Sequence, residues 1–345
     1  MIICCLFLLS ACTHNDMEEK NLHDEGVDTP LEIIDYRSLT IADFSFLKEG
    51  DKIAVISPSA YPSVKQRDAV MKGLKDWGYE PIEGKYTVGE VRTLDNVVED
   101  LRWALNDPKI KAIFCIRGGS AASEVVDHLG IDIIREKRKP IIGFSDIGAF
   151  LNAWAVSDVP SIHATMASAF IDADEKSVEA EKHLLKGEIP VYQVEGNEHD
   201  RQGTAEGILI GGNLSVILSI LSSSADPTKI NEPYILFIED VAEDMEHIHR
   251  YLTLLKHEGI LDKAAGLIFG EFTELPAESN AYNGNSRGGK FSSIADMIDR
   301  QILGDLKIPV AFNFPAGHAS VNYPLLFGCR LKLDVKEDHY TLEWQ

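Results

Sequence analysis

Three short apolar runs recur in the first half of the chain: Ile53 to Ser57 (IAVIS), Ile110 to Ile116 (IKAIFCI) and Pro140 to Phe144 (PIIGF). Helix-like stretches stand between and after them, at Val64 to Trp77, Leu94 to Leu105, Ser120 to Leu129 and Asp146 to Val156. Runs this short and this uniformly apolar read as strands covered on both faces. Strands that take turns with helices predict a parallel sheet with helices on either side. Open sheets of that kind place their sites outside the carboxyl ends of the strands. The first candidates for chemistry are therefore the residues that follow the three runs: Ser57-Pro58-Ser59, Arg117-Gly118-Gly119-Ser120 and Ser145-Asp146.

A length of 345 residues predicts two domains. The stretch 171–204 is charged and poor in apolar periodicity, which makes it the expected connection between them. An α/β domain with a parallel sheet is expected over 46–170, and a β-rich α/β domain over 205–345, with the site between the two. The second half reads as a strand from Gly203 to Ile210, a turn at Gly211-Gly212-Asn213 and a helix from Leu214 to Leu221. A strand from Tyr234 to Ile238 follows, closed by Glu239-Asp240. Next come a helix near Met245 to Glu258, a strand at Ala265 to Phe269, a Gly/Asn-rich loop at 280–290 and terminal strand-like segments.

The N-terminus reads as an address. Residues 1–11 (MIICCLFLLSA) are apolar but far shorter than the roughly 20 residues that span a membrane. They resemble a signal-peptide core, and Leu9-Ser10-Ala11-Cys12 resembles the box at which bacterial lipoproteins are cleaved and lipidated on cysteine. No Lys or Arg precedes Cys12, a departure from export signals. The expectation is a signal peptide over 1–11 and an acidic tether over 12–45, holding the protein by a lipid at the bacterial envelope. Without a working signal the chain stays in the cytoplasm. Cys115 and Cys329, the two thiols of the body, make no disulfide framework. A balance of 33 basic against 55 acidic residues, 33 − 55 = −22, disfavours nucleic acid as a partner.

The sharpest local signal is Gly143-Phe144-Ser145-Asp146, between a buried run and a helix. A tight strand-to-helix turn there would push the serine hydroxyl out above the sheet, with backbone N–H groups nearby for an oxyanion. Serine before aspartate at a helix start is also an ordinary N-cap, and the second Gly of G-x-S-x-G is missing. A serine nucleophile needs a base, and the base needs a group that orients it. Of eleven histidines, His14 and His23 lie in the tether and His183 and His199 in the charged connection. His247, His249 and His257 share a polar helix without an H-E-x-x-H pattern, so no metal is expected. His318 stands in a small-residue turn after an apolar run (FPAGH), and Glu239 ends a strand. Taken singly, each also reads as a loop histidine and a helix-capping acid.

Six blocks in this order resemble the LD-carboxypeptidases, which trim murein tetrapeptides, and their microcin C immunity relatives. The blocks are IAVISPS from Ile53, DPKIKAIFCIRGG from Asp107, PIIGFSDI from Pro140, GGNLS from Gly211, ILFIEDV from Ile235, and FPAGH from Phe314 with Pro324 and Gly328 beyond. The resemblance covers about Gly50 to Leu333. It implies Ser145 as nucleophile, Glu239 and His318 as its partners, and oxyanion amides at Gly118, Gly119 and Asp146. It further implies a murein peptide or related small peptide as substrate, a terminal carboxylate met by a cation such as Arg117, no cofactor, and a homodimer. Ser120 and Asn213 are further candidates for substrate contact. Ser120-Ala121-Ala122 stands where the family has Tyr-Gly, His163-Ala164-Thr165 where it has His-Gly-Pro, and His249 where an Asp precedes the Arg. These departures leave open an amidase of the same family acting on a microcin-like conjugate. A lipid-anchored two-lobed chain is also compatible with a solute-binding protein that does no chemistry.

Overall fold

A computed structural model describes residues 31–38, 44–89, 93–275 and 291–345. The first domain alternates as its sequence suggests: β2 (Lys52–Ile56), α1 (Val64–Asp76), β3 (Glu80–Glu83), α2 (Leu94–Asn106), β4 (Ile110–Cys115), α3 (Ala122–Leu129), α4 (Ile131–Lys137), β5 (Ile141–Gly143), α5 (Gly148–Val156) and β6 (Ser161–His163). Helix starts follow from local chemistry. Ser63 and Gln66 form a reciprocal capping box on α1, and Thr93 accepts the Asn96 N–H at the head of α2. The strands pair in the order β6-β5-β4-β2-β3, all parallel. Their side chains are buried on both faces, as in Ile53, Phe114 and Ile142, each fully covered.

The second domain runs α6 (Glu175–Leu185), β7 (Glu188–Glu195), β8 (Gly203–Asn213), α7 (Leu214–Ile220), β9 (Tyr234–Val241), α8 (Met245–His257), α9 (Ile260–Lys263), β10 (Gly266–Thr273), α10 (Ile294–Met297), β11 (Val310–Ala311), β12 (Leu325–Phe327), β13 (Arg330–Val335) and β14 (His339–Trp344). With β1 (Leu31–Ser38), a mixed sheet of eight strands, β1-β7-β14-β13-β8-β9-β10-β11, forms its centre, with β8 to β11 parallel. β12 leaves that sheet and pairs antiparallel with β6, so the first domain's sheet is completed by a strand from near the C-terminus. Among the described residues, no helix is long and apolar enough to cross a membrane.

Four expectations need correction. The stretch 171–204 contains α6 and β7, because Ala180, Leu184 and Leu185 bury one helix face and Pro190, Tyr192 and Val194 one strand face. Leu31–Ser38, placed in the acidic tether, is a strand, β1, antiparallel to β7. Cys12 and its neighbours lie outside the described residues, as do 280–290. Gly211 and Gly212 make no turn, since β8 runs through them to Asn213. There Gly211, at φ 117, lies so close to β9 that a Cβ would stand 2.0 Å from the Phe237 carbonyl oxygen, which marks backbone approach within a sheet. Finally, β9 continues past Ile238 to Val241, so Glu239 sits inside the strand, paired with Asn213 of β8.

Candidate active site

β5 ends at Gly143, and the chain turns through Phe144 into a single 3-10 turn, Ser145–Ile147, that feeds α5. Ser145 has φ 62, a left-handed conformation that costs a residue with a Cβ about 1–3 kcal/mol and is held only by a surrounding structure that overrides it. The hydroxyl caps neither the turn nor α5, so the N-cap alternative does not describe it. What holds the elbow is Asp146. Its buried carboxylate accepts the Ala122 N–H at 2.9 Å and the Ser59 hydroxyl, which ties together the loops after β2, β4 and β5. Gly118 fits against this elbow because it has no side chain, since a Cβ there would lie 2.9 Å from the Ser145 Oγ and 3.2 Å from the Asp146 nitrogen.

His318 comes from the other domain. A shift of register in β10 between Phe269 and Phe272 receives the segment that carries it. Phe314 donates its N–H to the Phe269 carbonyl at 3.0 Å, and Glu271 donates to the Ala316 carbonyl at 3.1 Å. Gly317, at φ 136, brings the loop against β9, where a Cβ would be 3.0 Å from the Glu239 carboxylate. The outcome is a 2.8 Å bond between His318 Nδ1 and Glu239 Oε2, the glutamate fully buried. Burial lowers the imidazole's proton affinity, but the bond to Glu239 and the charges of Glu239, Asp240 and Glu274 outweigh it, so the pKa of His318 is raised.

The two halves meet at Phe144, whose ring centroid is 4.9 Å from that of His318. Ser145, Gly118 and Asp146 are thus on one side of the junction and His318 and Glu239 on the other. His318 is bonded to Glu239, and no hydrogen bond joins the Ser145 hydroxyl to it among the described residues. Arg117 is exposed beside the elbow and donates to the Tyr61 carbonyl at 3.0 Å. Ser120 is exposed, and Gly119 abuts Ser59 and Ala60 of the first loop. Asn213, expected as a substrate contact, is committed inside the protein. It caps α7 through Val216 and donates to Asp240 at 2.7 Å.

Sequence reasoning passed over several buried polar residues here. Asp240, whose carboxyl burial pushes up to about 6, fixes Asn213 and Ser215 beside Glu239. His163, driven by burial down to about 3, lies between Phe144 and Phe327 with neither ring nitrogen bonded. Thr165, Glu181 and Asn322 complete the group. Strand alternation from Leu236 and Ile238 could have signalled Asp240 as an inward acid, but nothing local marks Glu181 among its charged neighbours. The three histidines of the polar helix do not converge with other ligands, and no cluster of three metal-binding side chains occurs among the described residues.

Two family profiles match, "LD-carboxypeptidase N-terminal domain" over residues 53–164 and "LD-carboxypeptidase C-terminal domain" over 206–333. A putative carboxypeptidase of Synechocystis is 31% identical over 298 residues, covering 84% of this chain and 93% of the relative. The murein tetrapeptide carboxypeptidase of Pseudomonas aeruginosa is 25% identical over 295 residues, with 80% and 91% covered. Among solved structures, muramoyltetrapeptide carboxypeptidase from Oxalobacter formigenes superposes with a TM-score of 0.73 at 23% identity, over 85% of this chain and 98% of that one. The microcin C7 self-immunity protein MccF bound to glutamyl sulfamoyl guanosine gives 0.72 at 21%, over 87% and 98%. These two show the same two-domain α/β fold.

Proposed function

Since the chain belongs to the LD-carboxypeptidase family of serine peptidases, we propose that it hydrolyses the amide bond before the C-terminal D-amino acid of a murein tetrapeptide, through an acyl-enzyme on Ser145. The observation that carries this reading is the His318–Glu239 bond, formed across from a serine held at φ 62 at the carboxyl edge of a parallel sheet. With its Nδ1–H donated to Glu239, His318 presents the Nε2 lone pair as a base. The Ser145 oxygen attacks the scissile carbonyl while Nε2 takes the proton. The oxyanion is met by backbone N–H groups of Gly118, Gly119 and Asp146, each such donor worth about 3 kcal/mol of barrier. Collapse breaks the C–N bond, His318 protonates the departing amine, and water then cleaves the ester by the same base. Arg117, exposed at the edge of the elbow, is the cation offered to the substrate's terminal carboxylate.

Mass spectrometry of products from a mixture of murein tri-, tetra- and pentapeptides tests the substrate. Loss of one alanine from the tetrapeptide alone is expected. Cleavage of an aminoacyl sulfamoyl nucleotide in its place would assign the chain to the immunity-type amidases, and peptides recovered unchanged with stoichiometric binding would make it a solute-binding protein.

The location belongs to the same proposal, supported by the apolar run 1–11 and the box ending in Cys12. Two or more acyl chains, at about 0.8 kcal/mol per buried CH₂, give stable anchoring. Cys12→Ala is expected to shift the protein from the membrane to the soluble fraction of fractionated cells. An unchanged membrane fraction would remove the anchor.

A further inference from the structure

We propose that Glu181 is a positioning residue of this site, its buried carboxyl clamping the helix that braces the His318 loop to the segment that braces the Ser145 elbow. The inference rests on the reading of Ser145 and His318 as the reacting pair. On the elbow side, Thr165 lies two residues beyond β6. Ala164 donates to the Gly143 carbonyl at 3.3 Å and Ala167 to the Ile116 carbonyl at 3.1 Å. Those acceptors immediately precede Phe144-Ser145 and Arg117-Gly118. Thr165 therefore sits in a bridge tied to both turns of the first domain's half of the site.

On the histidine side, α6 holds the loop that follows His318. Asp174 donates its N–H to the Ser320 carbonyl at 3.3 Å, and Asn322 donates its N–H to the Ser177 hydroxyl at 3.0 Å. The Asn322 side-chain oxygen accepts the Gly317 N–H at 3.1 Å, one residue before His318. Ser177 and Glu181 are one turn apart on α6, and both are fully buried. The Thr165 hydroxyl donates to one Glu181 oxygen. The other Glu181 oxygen and the Asn322 amide nitrogen are both buried and both without a partner. One helix thus carries the only described side-chain contact from Glu181 to the elbow side and, four residues earlier, the contact to the histidine loop.

A carboxyl in this place is costly unless it is neutral. Burial pushes Glu181 up to about 8, the Thr165 bond pulls the other way by less, and no charged group adds to the balance. On α6 itself, Glu175, Lys176 and Glu179 are exposed and Lys182 is half-buried, and none of them enters the balance at Glu181. His183 pairs with Glu179 and Glu188, Asp174 caps α6, His318 pairs with Glu239, and His163 is held neutral. Because the folded pKa is raised, the clamp's contribution is complete below the unfolded value of 4.5 and is lost as pH rises through about 8. Ionisation then leaves an unpaired charge where the two domains are joined.

The test is the pH profile of kcat and KM on the tetrapeptide, with the melting temperature, for the full chain and for Glu181→Gln, Glu181→Ala and Thr165→Val. The parent should lose kcat about tenfold between pH 7 and 9. Glu181→Gln, a permanent mimic of the neutral acid, should keep the neutral-pH kcat and show no such loss. The Ala and Val variants should lower kcat at every pH with KM little changed. An alkaline limb in Glu181→Gln that superimposes on the parent's would overturn the proposal, as would parental kcat in both Ala and Val variants. Failure of the underlying reading looks different: Ser145→Ala would then be as active as the parent. In that event the melting temperatures decide, since the gap between Glu181→Gln and the parent should widen from pH 5 to 8, and a constant gap would sink the clamp.

Discussion

Ser145→Ala is expected to lower kcat by about 10⁴ to 10⁶, with His318→Ala costing about as much and the double variant no more than either. The reason is that base and nucleophile act in one step. Once the hydroxyl is gone the imidazole has no proton to take, and once the imidazole is gone the hydroxyl is a weak nucleophile at its ordinary pKa. Folding should be nearly unaffected by the serine change. The hydroxyl caps no helix, and alanine keeps the same Cβ at φ 62, so the backbone strain is the same in both. A melting temperature within a degree or two of the parent's, read with the rate of D-alanine release, separates lost chemistry from lost structure. Losses that multiply in the double variant would mean that the two residues serve different steps.

Glu239→Gln should cost about 10⁴ in kcat, since an amide in place of the carboxylate can hold the imidazole in the wrong tautomer and no longer stabilises the imidazolium. It should also move the acid limb of the pH profile in a direction opposite to what lower activity suggests. His318 works as a base only when neutral, so kcat/KM rises as pH passes its pKa. In the parent that limb lies above the usual 6.5, because Glu239 is the chief group that raises the value against burial. In the variant the burial effect is left less opposed, and the limb shifts to lower pH. Stability follows the same sign. The raised pKa makes the pair most stabilising below 6.5 and progressively less so above it, so the variant's deficit in melting temperature should be larger at pH 6 than at pH 9. An acid limb that stays in place would mean that Glu239 does not tune the imidazole.

Much of the site was legible because strand ends are legible. Runs such as IKAIFCI and PIIGF are apolar on both faces, so their carboxyl ends, and with them Gly118 and Ser145, could be located without a structure. His318 and Glu239 were placed by the order of six blocks, not by periodicity. β9 runs through Glu239, a fully buried charge that a reading by polarity takes for the end of the strand. α6 was hidden for a related reason. Its buried face sets Ala180, Leu184 and Leu185 beside Ser177 and Glu181, so two of the five inward side chains look like solvent-facing ones. β3 and β6, of four and three residues, are too short to show a period, and the pairing of β12 with β6 joins segments more than 150 residues apart. Such a pairing depends on the packing of Phe327 against His163 and Phe237, contacts that exist only once both domains are in place.

The central claim is that an imidazole steadied by Glu239 makes the Ser145 oxygen a nucleophile. Treating the protein with a fluorophosphonate and mapping the adduct by peptide mass spectrometry reads this directly, in the parent and in His318→Ala. The account predicts one adduct per chain, on Ser145, formed at least a hundredfold more slowly in the variant, on the scale of a lost general base. An adduct on another residue, or labelling of Ser145 at the same rate without His318, would contradict it.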